Sequence, residues 1–192
     1  SQCRHGIAQR VRDLLGSVDE LRDMARASGE ELVGPLRIGV IPTIAPYLLP
    51  ALIGNLAKLH PALDIQVRET TTPRLLQELA QGQLDTAILA LPVSEPSFTE
   101  CALFTENFVL LRPLADADKP VPSREMLREM KLLLLEEGHC FRDQALSFCD
   151  IKSLKPRETL DVSSLSTLVQ MVAAGMGVTL IPEMAVEDVQ VS

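Results

Sequence analysis

The residue types with most chemistry to offer sit together in Gly138-His139-Cys140-Phe141-Arg142-Asp143-Gln144-Ala145-Leu146-Ser147-Phe148-Cys149. A cysteine attacks as its thiolate, a form favoured at helix N-termini and beside cationic side chains. Cys140 follows the strand-like run KLLLLEE and opens a helical pattern, with His139 and Arg142 beside it. That setting favours the nucleophile, whereas Glu136 and Glu137 oppose it. Cys149 continues the helical stripe of Phe141, Ala145 and Phe148, so it reads as a core cysteine. The two demands conflict, because nine helical residues hold their ends roughly 13 Å apart and a disulfide needs Cα atoms within about 4.4–6.8 Å. Bonding the two thiols would require the helix to melt, the design of a switch rather than a staple. Two other readings remain open: unrelated thiols, or a metal site from His139, Cys140 and Cys149. The latter spacing matches no familiar zinc pattern, and neither metal nor cofactor is expected.

Periodicity gives the strands and helices around these residues. Ile7, Val11, Leu14, Val18, Leu21 and Ala25 form a heptad stripe that suits either a dimerising linker or an amphipathic surface helix, closed by Gly29, Gly34 and Pro35. From Leu36 the pattern becomes strand, turn, helix, repeated. LRIGVIP, LDIQVRET, DTAILAL, KLLLLEE, RETLDV and VTLIP read as strands, and CALFTENFVLLRP contains a further short one. Helices are expected after Thr43, from Thr72 as N-cap with Pro73 at the first position, within 115–130, after Gly138, and from Ser163 or Ser164 to Gly175 or Gly177. Strands alternating with helices predict βαβ units and a parallel sheet. The fold class is α/β with two subdomains. The subdomains are expected at 35–92 and 113–182, the second holding the cysteine pair, with the helical segment 1–34 ahead of them, 93–112 crossing between them and 183–192 following the second.

In open α/β sheets ligands bind beyond the carboxyl ends of the strands, where helix N-termini converge. The turns there offer Thr43, Thr70, Thr71, Thr72, His139, Cys140, Ser163 and Ser164. Taken singly, each Thr or Ser reads as a helix cap. No Gly-rich phosphate loop is present, so a nucleotide is not expected.

Composition narrows the function classes. With 26 acidic against 18 basic residues and a net charge of −8, the chain lacks the cationic surface that holds a phosphate backbone, so any DNA contact must lie elsewhere. No window is apolar for the eighteen or so residues of a membrane span, and the charged N-terminus does not read as a signal peptide. A cytoplasmic location is expected. There thiols are kept reduced, so the four cysteines do not suggest a structural disulfide framework.

GHCFRDQALSFC, GVIPTIAPYLLP, LLQELAQGQLD and MVAAGMGVTLIP together resemble the regulatory domain of the hydrogen-peroxide-sensing branch of the LysR-type transcription regulators, the OxyR family. The resemblance covers nearly all of 36–182. It implies two Rossmann-like subdomains like those of periplasmic binding proteins, with residues 1–34 as the dimerising linker helix. It implies that Cys140 is the peroxidatic and Cys149 the resolving cysteine of a redox disulfide. By the same resemblance Thr43, Thr72, His139 and Asp143 hold and polarise peroxide, and Arg142 and Ser163 support them. The partners implied are hydrogen peroxide, a glutaredoxin or thioredoxin as reductant, a homodimer or homotetramer, and RNA polymerase in the intact regulator. DNA would be bound through a winged helix-turn-helix that does not precede the linker here. The family also continues past Pro182 with a strand and helix that complete subdomain I, so this sequence is expected to be a fragment. The expected action is stoichiometric sensing rather than enzymatic turnover. The alternatives are a thiol peroxidase using the same cysteines, or a LysR-type domain for a small organic effector.

Overall fold

The computed structural model describes residues 32–93, 95–149 and 161–186. The heptad stripe, most of the 157–162 strand and the end of the 183–192 segment lie outside the described residues.

The first half is built from β1 (Gly34–Val40), α1 (Ala45–Leu59), β2 (Leu63–Glu69), α2 (Thr72–Ala80) and β3 (Thr86–Ile88). These strands form one sheet in the order β2-β1-β3, with β1 parallel to both neighbours. Gly39 lets α2 approach the sheet, since a Cβ there would lie 2.6 Å from the Leu75 side chain. Arg37 fixes the far end, pairing with Asp85 at 2.6 Å and donating to the Gly82 carbonyl. Burial opposes ionisation of Asp85, but the Arg37 hydrogen bonds and charge outweigh it and hold the carboxyl below its usual range. The Thr72 expectation is corrected here. Thr71 is the N-cap, with extended φ and ψ, and Thr72 and Pro73 are the first two helical residues. Proline is tolerated at either early position because first-turn N–H groups have no intrahelical partner.

The second half contains β4 (Phe108–Leu111), α3 (Arg124–Glu129), β5 (Leu134–Leu135), α4 (Cys140–Phe148), β6 (Asp161–Val162), α5 (Leu165–Ala173) and β7 (Thr179–Pro182). β5 and β6 are parallel, and a parallel bridge from Leu132 to Val178 joins β7 to the segment feeding β5. β4 and β7, however, run antiparallel, with Phe108 opposite Pro182. The expected parallel pairing thus holds for β1 with β2 and β3 and for β5 with β6, and the β4–β7 pair departs from it. One strand carries the chain into this half and the other carries it out, and hydrophobic periodicity carries no strand direction.

Leu132 to Leu135 are each no more than 4% exposed, the continuous apolar run of a strand covered on both faces. Helix α5 buries Leu165, Leu168, Val169 and Val172 along one stripe. Of the two serines proposed as its cap, Ser164 takes the role, accepting from the Thr167 N–H at 3.2 Å. The helix closes through Gly175 at φ +76, with Met176 bonded back to Met171 and Gly175 to Val172, the paired bonds of a Schellman motif.

Two cores result. One gathers Ile38, Val40, Ile41, Ile44, Ala45, Leu75 and Leu84. The other is centred on Leu132 to Leu135, Phe141, Leu168 and Ile181.

Candidate thiol site

Helix α4 begins where the β5 run meets a turn that only glycine adopts easily. Gly138 sits at φ +94, and a Cβ added there would lie 3.7 Å from the Thr71 Cβ. The turn ahead of α4 thus abuts the turn ahead of α2, bringing the two halves together. His139 is the N-cap and Cys140 the first helical residue. Arg142 donates to the Leu135 carbonyl at 2.7 Å, tying the first turn of α4 to the end of β5. His139 is 5% exposed. Burial lowers its pKa below the ordinary value of 6.5, and Glu136, 4.0 Å away, only partly offsets this.

Cys140 is half-buried and opens onto a cavity of ≈1000 Å³ that Thr43 and Asp143 also line. Most of the remaining wall is apolar, including Ile44, Leu79, Phe104 and Phe108. The structure therefore brings Thr43, Cys140 and Asp143 to one space. Thr72, His139, Arg142, Ser163 and Cys149 are not on that wall. Thr72 stands at the start of α2, one residue beyond the Gly138 contact, with its Oγ1 buried and without a hydrogen-bond partner among the described residues. Such an orphan costs about 1–3 kcal/mol in desolvation and marks a place where a polar guest would gain a bond. Ser163 is exposed, at a bend just ahead of α5.

The other end of α4 differs. Cys149 is its C-cap and is fully buried in the second core. Its carbonyl accepts from Arg128 Nε at 2.9 Å, and the Arg124 guanidinium lies 4.4 Å from the centre of the Phe148 ring. Burial pushes the Cys149 thiol up, with Arg128 and then Arg124 pulling partly back, so it is held as the neutral thiol. Cys140, by contrast, packs against the first core. Cys101, Cys140 and Cys149 are all free thiols. Among the described residues no three His, Cys, Asp or Glu side chains converge as metal ligands would, and that holds for His139, Cys140 and Cys149.

Sequence reasoning missed Cys101, which shares the cavity with Cys140, and the two arginines of α3. Neither carries a local signal. Cys101 lies in a segment without regular structure, and Arg128 meets α4 across 21 residues of chain.

Residues 29–191 match the LysR substrate binding domain family. The chain belongs to that family. Its relatives include the Escherichia coli protein named DNA-binding transcriptional dual regulator OxyR, 42% identical over 184 residues, which are 94% of this chain and 60% of that protein. A Dickeya chrysanthemi protein named hydrogen peroxide-inducible genes activator is 41% identical over the same shares. The chain thus spans about 60% of the length of these curated relatives. Among solved structures, the reduced OxyR regulatory domain of Pseudomonas aeruginosa is 39% identical, with a TM-score of 0.73 and coverage of 84% of this chain and 77% of that one. A cysteine variant of Corynebacterium glutamicum OxyR with H2O2 bound matches at 33% identity and TM-score 0.77, covering 91% of this chain and 56% of that one. These matches place the chain among OxyR regulatory domains with the α/β fold of LysR substrate-binding domains, and its matched relatives are named as transcription regulators. Among the described residues no helix is long and apolar enough to cross a membrane.

Proposed function

We propose that this chain is the sensor domain of a hydrogen-peroxide-responsive LysR-type transcription regulator, in which Cys140 is oxidised and then bonded to Cys149. The observation that carries this reading is the placement of the two thiols at opposite ends of one helix. Cys140 opens on a cavity at the N-terminal end, and Cys149 is sealed in a core at the other. In the first step the Cys140 thiolate attacks one peroxide oxygen, an S–O bond forms, the O–O bond breaks, and the departing hydroxide takes a proton to leave as water. Sulfur is oxidised by two electrons and peroxide is reduced. In the second, the Cys149 sulfur attacks the sulfenic sulfur, the S–S bond forms, and the hydroxyl leaves as water with the Cys149 proton. Thr43 and Asp143 share the cavity with Cys140 and serve as peroxide contacts. Thr72, whose hydroxyl lacks a partner among the described residues, and His139, held neutral by burial, complete the polar set. Arg142 supports the site by anchoring the first turn, and Ser163 is assigned a supporting place at the turn ahead of α5.

Under this reading the action is stoichiometric rather than enzymatic, and a glutaredoxin or thioredoxin resets the disulfide. Residues 1–34 form the dimerising linker, with 35–92 and 113–182 as the two subdomains and 93–112 and 183–192 as the crossovers. The intact regulator acts in the cytoplasm as a homodimer or homotetramer with DNA and RNA polymerase. Peptide mapping of the oxidised chain tests the core of the proposal. A Cys140–Cys149 bond is expected after peroxide treatment, and a dominant bond involving Cys101 or Cys3 would overturn it.

A further inference from the structure

The sulfenic acid at Cys140 cannot meet Cys149 while α4 is intact, so whatever holds the far end of the helix sets the rate of the second step. Two side chains of α3 hold it. Arg128 donates Nε–H to the carbonyl of Cys149 at 2.9 Å, a charge-assisted bond to the C-cap residue, where helix carbonyls lack intrahelical partners. One turn earlier in α3, Arg124 lies 4.4 Å over the ring of Phe148, the last residue of α4. Between them Leu127, 3% exposed, enters the same core as Cys149. Both arginine contacts act on Phe148 and Cys149, the final two positions of the region that must unwind, and the opposite end is anchored separately by Arg142.

We propose that Arg124 and Arg128 are positioning residues that clasp the C-terminal end of α4 and slow disulfide formation without affecting the attack on peroxide. The inference rests on the proposed function. The condensation it concerns is Cys140–SOH plus Cys149–SH giving the disulfide and water, with no other reactant. The clasp acts by raising the free energy needed to free Cys149. Both arginines are exposed overall, so replacing them leaves the core intact.

The test is rapid-quench mass spectrometry of the reduced chain after peroxide addition, following sulfenic acid and disulfide separately in wild type, Arg128→Met, Arg128→Lys and Arg124→Leu. Sulfenic acid formation is expected at the wild-type rate in all four. Disulfide formation should quicken about tenfold in Arg128→Met, as loss of one hydrogen bond to a charged group implies. It should quicken about threefold in Arg124→Leu, as loss of a surface cation–π contact implies. Arg128→Lys should fall back toward wild type. Equal condensation rates in the variants, or a parallel change in both steps, would overturn the clasp. A wild-type chain that forms no Cys140–Cys149 bond would instead overturn the functional reading beneath it.

Discussion

The two ends of α4 are built on different principles. At the N-terminal end Cys140 is half-buried, packs on the first core and borders a cavity with polar groups at its edge. At the C-terminal end Cys149 is excluded from solvent, belongs to the second core and is capped by Arg128. One thiol is therefore accessible and the other stored. Reactivity here is set less by the cysteines than by what closes over each. Burial in one core makes a reserve of a side chain that, nine residues earlier, would be a point of attack.

The largest effect that would test this contrast comes from the thiols themselves. Cys140→Ser should abolish oxidation by stoichiometric peroxide, whereas Cys149→Ser should trap a sulfenic acid at position 140. Dimedone labelling read by mass spectrometry checks both, and oxidation at 149 in the Cys140→Ser chain would erase the distinction. Next, amides of Phe141 to Cys149 should lose hydrogen-exchange protection on oxidation, because the helix and the disulfide are geometrically incompatible. Unchanged protection would mean the thiols were already adjacent.

Phe141 is 3% exposed and meets Phe108 edge-on with ring centres 5.0 Å apart. Phe141→Ala should cost about 3–5 kcal/mol, measured by urea denaturation, and a cost under about 1 kcal/mol would show that the second core does not hold α4. Smaller, but sharper for the N-terminal end, are Thr43→Val and Thr72→Val. Each should slow the first oxidation about tenfold, equivalent to about 1.4 kcal/mol. Thr72→Val should leave thermal stability unchanged or raised, since it removes a buried hydroxyl without a partner among the described residues. Oxidation at the wild-type rate in both would reduce them to helix-turn residues.

The smallest effect is in pH. Because burial lowers the His139 pKa below 6.5 in the folded chain, the unfolded chain binds the extra proton first as pH falls. Stability should therefore decline on acidification from about 6.5 down to the folded value, and His139→Gln should flatten that slope. The same slope in wild type and variant would remove His139 from the account.

The alternation of strands and helices was legible because burial imposes periodicity. The KLLLLEE run, the glycine after it and the stripe of Phe141 and Ala145 were enough to place Cys140 at a helix start. Strand direction was not legible, since the pairing of β4 with β7 depends on where the chain crosses between halves. The off-by-one cap at Thr71 arose because proline fits the first or second helical position alike. Cys101 beside the cavity and Arg128 at the end of α4 were invisible for the same reason as each other. Both are products of tertiary packing between segments that carry no shared pattern.

The shortness of α4, nine residues from Cys140 to Phe148, also has a meaning in time. An isolated helix of about twenty residues relaxes within roughly a microsecond and local opening of a packed one takes microseconds to seconds, whereas disulfide formation and reshuffling takes seconds to hours. The helix therefore opens and closes ahead of disulfide reduction, and the clasp on its C-terminal end acts through how often the helix is open. In the proposed cycle the chain holds no record of a peroxide pulse apart from the bond itself, and the duration of its response is the lifetime of one disulfide.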